Sequence, residues 1–315
     1  MSGVDTSIPR RWVSDGGLET DLIFHHDVDL PDFAAFVLVD DEQGRRLLRE
    51  YFLEYADVAR THRAPLRLET PTWRASSAWG DRLGYDADAL RRVNGDAVRL
   101  LREVGTDSGV EEVQVVGMVG PRGDGYRSGA WDPETGARDA YEYHRAQVRA
   151  LADAGADAVT AYTLNDAAEA IGVIRAAREI GVPVEVSFTV ETDGRLASGR
   201  TLSDTIAEVD AAAAPDGYLL NCAHPDHMAQ ALDRRSARRI VGVRPNASRR
   251  SHAELDESET LDEGDLAELA ASTAALVARM PAVRMVGGCC GTDSRHVAAI
   301  WATLDHDPMP PADAP

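Results

Sequence analysis

The chain has 315 residues, 44% of them hydrophobic, enough for two average domains or one large α/β barrel with a full core, and too apolar for disorder. Its formal net charge of −20 argues against nucleic acid and anionic membranes as partners, because both would be repelled. Every one of its 33 Lys+Arg positions is arginine, which excludes Schiff-base lysine chemistry and the lysine of a phosphate-binding P-loop.

The opening MSGVDTSIPRRWVSDGG has no apolar h-region and so does not read as a secretory signal. No window approaches the roughly 18 uninterrupted apolar residues of a membrane span, and the expected location is the cytoplasm. The first apolar run is RWVSDGG, near 11–17. A helix is expected over 41–62, with Leu47, Leu48, Tyr51, Phe52 and Tyr55 on one face. PLRLETPT (65–72) and VQVVGMVG (113–120) read as the second and third strands, and a helix over 137–155 stops at Gly155. DAVTAYT (157–163) is the fourth strand. The helix after it, over 165–181, starts at an Asn or Asp cap and stops at Gly181. PVEVSFTV (183–190), GYLLNCAH (217–224) and RIVGVRPN (239–246) are strands five to seven. The acidic stretch HAELDESETLDEGD (252–265) reads as a solvated excursion before a helix over 262–280. VRMVGGCC (283–290) is the eighth strand, and a helix over 293–304 follows it.

These strand candidates are short runs rich in Val, Ile and Leu, as buried parallel strands are. Eight strand–helix alternations fit a (β/α)8 TIM barrel better than a doubly wound sheet. The expected organisation is one domain over 1–306, with a loose tail over 307–315 in the proline-rich end DHDPMPPADAP. A homo-oligomer is compatible with this reading.

Active sites of such barrels are built at the C-terminal strand ends. Unusual residues collect there. Asp15 ends strand one, Glu69 and Thr70 strand two, and Tyr162 and Thr163 strand four. Cys222 ends strand six, Asn246 follows strand seven, and Cys289 and Cys290 end strand eight. Those are all three cysteines of the chain. An odd count in a cytosolic chain argues against a disulfide framework and for metal or catalysis. Strands six and eight are one strand apart, so their mouths can bring three thiolates together. Zn2+ suits such a site best, with sulfurs within about 4 Å of one another and a fourth position open. Gly287, Gly288 and Gly291 let adjacent cysteines turn toward one ion. Zinc held by three thiolates activates water weakly but binds an incoming thiol as thiolate at neutral pH. Held in line with an electrophilic methyl group, that thiolate gives S-methylation, with catalysis coming mostly from alignment. A vicinal disulfide between Cys289 and Cys290 would leave Cys222 unexplained.

The motifs SDGGLETDL, GMVGP, LLNCAHP, RPN and GGCCGT, in this order over residues 11–304, resemble those of the homocysteine S-methyltransferase family. The resemblance implies a (β/α)8 barrel, zinc on Cys222, Cys289 and Cys290, and a small-molecule thiol acceptor and methyl donor. It also implies that Asp15 lies near the substrate amine and that Thr70 lines the same pocket. No segment for binding cobalamin or folate is expected after the eighth helix, which disfavours a methionine-synthase arrangement within this chain. The expected donor is a small onium: S-methylmethionine, S-adenosylmethionine, betaine or another onium. Many members carry a glutamate at the end of strand four that binds the homocysteine amine. Here Tyr162 stands at the matching position, and a phenol supplies no negative charge near neutral pH. Glu69 is expected to take over that contact; the alternative is a related thiol with a different polar end.

Other polar residues have two readings. His25 and His26 are expected in a loop after strand one rather than on the metal, and His224 as a cap of the next helix rather than a donor-pocket residue. Trp73 and Trp79 read as packing residues or as cation–π walls for an onium donor. Two rival functions remain beside an S-methyltransferase: a zinc-binding barrel that binds or senses thiols without methyl transfer, and a metal-independent barrel enzyme with cysteines kept for packing.

Overall fold

The computed structural model describes residues 10–127, 131–132, 134–258 and 260–306; the expected tail over 307–315 lies outside the described residues. Eight parallel strands close into a barrel in sequence order. They are β1 (Trp12–Val13), β2 (Leu66–Glu69), β3 (Val113–Val119), β4 (Ala158–Leu164), β5 (Val184–Phe188), β6 (Gly217–Asn221), β7 (Ile240–Arg244) and β8 (Met285–Val286). The ring closes where Trp12 pairs with Met285 and Val13 with Val286. The chain is therefore a single-domain (β/α)8 TIM barrel, as the alternation of apolar runs and amphipathic stretches predicts.

Apart from the fourth, which ends at Leu164 rather than Thr163, the expected strands run past the hydrogen-bonded ones at their C-terminal ends. β1 and β8 are each two residues long, because Asp-Gly-Gly and Gly-Gly-Cys-Cys leave the ladder at once. Those extra residues form the loops at the barrel mouth. The expected helices form with shifts of a few residues. Helix Glu42–Thr61 buries Leu48, Tyr51, Phe52 and Tyr55 against the barrel and leaves Leu47 half-buried. Helix Ala167–Ile180 is capped by the Asp166 carboxylate and ends at Gly181, whose φ of 85° suits glycine. Helices Leu18–His26, Ser77–Leu83, Ala87–Asp107 and Leu202–Ala212 lie outside the elements expected above, and Pro225–Ala231 is the helix expected after His224.

The acidic stretch after β7 departs in part from expectation. It forms a short helix, His252–Asp256, with a Ser251–Glu254 capping box. It is solvated in part, with Ala253, Glu254, Asp256, Glu257 and Thr260 exposed, yet it borders the site: Leu255, Asp256 and Leu261 line the cavity at the barrel mouth, and His252 is buried. The two leucines supply the apolar reason for that position. Among the described residues no helix is long and apolar enough to cross a membrane.

Candidate metal and substrate site

Cys222 follows β6 directly and has a left-handed backbone, with φ of 57°. For a side chain with a Cβ this costs roughly 1–2 kcal/mol, so the surroundings must hold it there. They do so through the Cys222 N–H, which donates to the Arg244 carbonyl at 3.0 Å, and through the Cys222 carbonyl, which accepts from the His252 ring. Cys289 and Cys290 sit between two loops. The Gly288 N–H donates to the Asp15 carbonyl and the Cys289 N–H to the Pro245 carbonyl, both at 2.8 Å. A Cβ on Gly287 would stand 2.6 Å from the Asp15 carbonyl oxygen, so this glycine serves close approach rather than bending. Gly291, with φ of 78°, supplies the bend.

The result is three free thiols at one point. The Cys222 and Cys290 sulfurs are 3.6 Å apart, and all three lie within 4.8 Å of one another. Tetrahedral Zn–S bonds of about 2.3 Å require sulfurs about 3.8 Å apart, so the donor set fits a zinc-sized ion with small adjustments. Hydrogen bonds from the other two thiols, aided by the Arg244 charge, hold the Cys289 pKa well below the ordinary thiol value. Tyr126 places its hydroxyl 2.8 Å from the Cys222 sulfur, with its ring stacked on His252.

Beneath the thiols runs a buried charge network. Arg244 donates to Glu69 Oε2 at 2.6 Å, contacts Asp15 Oδ1 at 3.0 Å, and bonds the Gly288 and Gly16 carbonyls at 2.8 Å. Glu69 Oε1 accepts from Tyr162 Oη and from Arg67 Nε, each at 2.7 Å. Arg67 continues inward to Glu185 and Thr160. Glu69 thus faces two arginines and uses three of its roughly four acceptor positions. The expected role of Glu69 as ammonium partner has little support in this geometry: its charge is already matched, and Tyr162 is its donor. Asp15 is likewise engaged, and burial pushes its pKa up to about 6 despite Arg244.

A cavity of about 610 Å³ opens above this network, lined by the three cysteines together with Asp15, Glu69, Thr70, Tyr162 and Asn246. The structure therefore gathers every residue singled out for the site. Thr70 accepts from the Met118 N–H at 2.9 Å. Asn246 is buried, and its Oδ1 has no partner among the described residues. The family-type reading missed Glu19, which lines the cavity and forms no ion pair among the described residues. Burial raises its pKa to about 7. Arg244, Arg67, Tyr126 and Arg74 also escaped notice. The signal for the first two was available: an arginine inside an otherwise apolar parallel strand has to find a carboxylate.

The histidines and tryptophans sort cleanly. His25 and His26 end the helix Leu18–His26 instead of lying in a loop, and His25 pairs with Asp21 at 2.8 Å. His224 caps helix Pro225–Ala231 by accepting from the Asp226 N–H. Trp73 and Trp79 hold the Arg74 guanidinium between them, 4.2 and 3.5 Å from the two rings.

The model of the homocysteine S-methyltransferase family matches residues 12–304. The chain belongs to this family. Among curated relatives of this homocysteine S-methyltransferase family member, methionine synthase of Mycobacterium leprae is 30% identical over 326 aligned positions, covering 96% of this chain and 25% of the relative. Homocysteine S-methyltransferase 2 of Zea mays is 25% identical over 174 positions, covering 53% of this chain and 50% of the relative. The chain thus spans about a quarter of the length of the methionine synthase it matches. Two crystal structures of the Escherichia coli homocysteine methyltransferase MmuM share the fold at 24% identity. The oxidized form gives a TM-score of 0.73, covering 93% of this chain and 95% of that one; the metallated form gives 0.71, covering 93% and 96%.

Proposed function

We propose that this protein is a zinc-dependent S-methyltransferase that moves a methyl group from a small onium donor to homocysteine or a related thiol, giving methionine or a thioether. The convergence of Cys222, Cys289 and Cys290 at the C-terminal mouth of the barrel carries this reading. Three thiolates are the ligand set of a catalytic zinc with an open fourth position. Bound there, zinc supplies a Lewis-acid position that holds an incoming thiol as thiolate near neutral pH. The protein's own residues supply placement. Asp15, Thr70 and Asn246, which line the cavity, meet the amino-acid end of the acceptor. Glu69 and Tyr162 act through Arg244, keeping the floor of the pocket fixed. Transfer forms the new S–C bond as the donor's bond to the same methyl breaks. The electron pair leaves with the donor, whose onium centre becomes neutral. S-methylmethionine, S-adenosylmethionine and betaine fit this chemistry, and three reduced thiols suit a cytoplasmic setting.

The test is metal analysis of reduced protein paired with a methyl-transfer assay over thiols and donors. The expected content is about one zinc per chain, lost in Cys222→Ala. Protein free of zinc under reducing, zinc-replete conditions overturns the proposal. Zinc binding without transfer from any of the three donors would leave a thiol-binding barrel instead.

A further inference from the structure

The loop after β3 delivers one side chain, Tyr126, to the thiols. Buried Asn165 donates its amide to the carbonyls on either side of that residue, Gly125 at 2.9 Å and Arg127 at 3.0 Å. The Tyr126 N–H donates to Asp124 Oδ1 at 2.9 Å. A Cβ on Gly125 would stand 2.7 Å from Thr163 Cγ2, so the loop lies hard against the end of β4. The Tyr126 ring stacks on His252 with centroids 3.9 Å apart, and His252 is itself tied to Glu191 and to the Cys222 carbonyl. Contacts from the segments after β4 and β7 therefore fix the ring, and its hydroxyl ends 2.8 Å from the Cys222 sulfur. A phenol keeps its proton near neutral pH and a thiolate has none to give, so the O–H donates to a thiolate Cys222. The other two sulfurs lack a hydroxyl donor among the described residues. Cys289 has the Asn221 amide at 3.9 Å, and Cys290 has only the other thiols.

That difference bears on a problem peculiar to this chemistry. An electrophilic methyl group brought to the site meets the acceptor thiolate and also the protein's own three thiolates. Attack by Cys222 would form a Cys222 S–CH3 bond as the methyl's bond to its onium centre breaks, and the electron pair would leave with the donor. The product is a neutral thioether, which has lost the charge that holds a zinc ion. A charge-assisted hydrogen bond draws electron density from sulfur and has to be given up as the sulfur lone pair turns to carbon. A thiolate so bonded is the poorer nucleophile, as lower basicity generally makes it.

We infer that Tyr126 is a positioning residue that holds Cys222 as a hydrogen-bonded, weakly nucleophilic thiolate, so that the methyl group passes to the acceptor rather than to Cys222. This rests on the proposed S-methyltransferase function and adds to it a guard against self-methylation.

Methyl iodide tests it without the enzyme's own donor. Zinc-loaded wild type and Tyr126→Phe are exposed to it, and peptide mass mapping gives the methylation rate of each cysteine. Phenylalanine keeps the ring on His252 and removes only the hydroxyl. Cys222 is expected to react about 10-fold faster in Tyr126→Phe, as loss of one charge-assisted bond allows, with Cys289 and Cys290 unchanged. With Tyr126 replaced by 3-fluorotyrosine, a more acidic phenol, Cys222 should react more slowly than in wild type. An unchanged Cys222 rate in Tyr126→Phe overturns the inference. An equal rise at all three cysteines also overturns it, as the mark of a ring that merely blocked the way. If Tyr126→Phe fails to fold or to hold zinc, the fluorotyrosine protein decides: a Cys222 rate at or above that of wild type overturns the inference. A protein that shows the Cys222-selective rise yet moves no methyl group from any onium donor overturns the proposed function alone. One that transfers methyl to homocysteine yet shows no selective rise overturns this inference alone.

Discussion

Arg244 is the residue on which the site's electrostatics turn. It offsets Asp15 and Glu69 at once, deep in the barrel, and bonds two carbonyls of the flanking loops. Removing one member of a buried ion network leaves uncompensated charge, at a cost of about 3–5 kcal/mol. Arg244→Met is therefore expected to lower urea-unfolding stability by about that much, whereas Arg244→Met with Glu69→Gln should recover part of the loss. Glu19 is the opposite case, a carboxyl with no cationic partner among the described residues. Its folded-state pKa of about 7 lies above the ordinary 4.5, so the folded state holds the proton more tightly than the unfolded state. Stability then falls as pH rises from about 4.5 through about 7, and the deficit is complete above that range. Thermal melts should show Glu19→Gln more stable than wild type at pH 8 and little different at pH 4, with the gap opening between.

At the scale of elements, the loops after the strands do what strands do in a simpler barrel. Gly287 lies against the Asp15 carbonyl and Ser14, so a methyl group there meets backbone that cannot yield. Gly287→Ala is expected to cost about 1–3 kcal/mol and to weaken metal retention, read by a chromophoric chelator competition. Gly84→Ala, where a Cβ meets open space but φ is 78°, should lose stability through strain and leave metal retention intact. Much of the element-level arrangement was legible beforehand. The eight apolar runs, and the thiols at the ends of two of them, needed only periodicity and chain order. Pairings across the barrel were not legible. Arg67 and Glu69 lie two apart on β2, a spacing that puts both on the inner face, yet which partner each meets depends on the register of β4, β5 and β7. The helix His252–Asp256 was hidden for another reason: its acidic residues signal solvent, while Leu255 and Leu261, which line the cavity, are few.

The whole molecule carries net charge −20, with all of its cations arginine. Self-repulsion of that size is screened within about 10 Å at 0.1 M salt. The melting temperature is expected to rise as sodium chloride increases from low ionic strength to about 0.5 M; a flat or falling curve would mean that the surface ion pairs outweigh the repulsion.

The ring of strands is thin around β1 and β8: β1 pairs with β2 only through Val13 and Leu66, and β7 meets β8 through two residue pairs. β1 and β8 meet through two residue pairs, Trp12 with Met285 and Val13 with Val286, and the segments that follow carry Asp15 on one side and Cys289 and Cys290 on the other. Cys222 stands on the same side of that β1–β8 seam as Cys289 and Cys290, two strands further round, after β6. An ion shared by these thiols would act as a clasp from the end of β6 to the end of β8, over β7 between them. Amide hydrogen exchange at Cys222, Gly287 and Cys289, whose N–H groups donate to the carbonyls of Arg244, Val243 and Pro245, should then be slow in the loaded protein and the first to quicken when the ion is stripped.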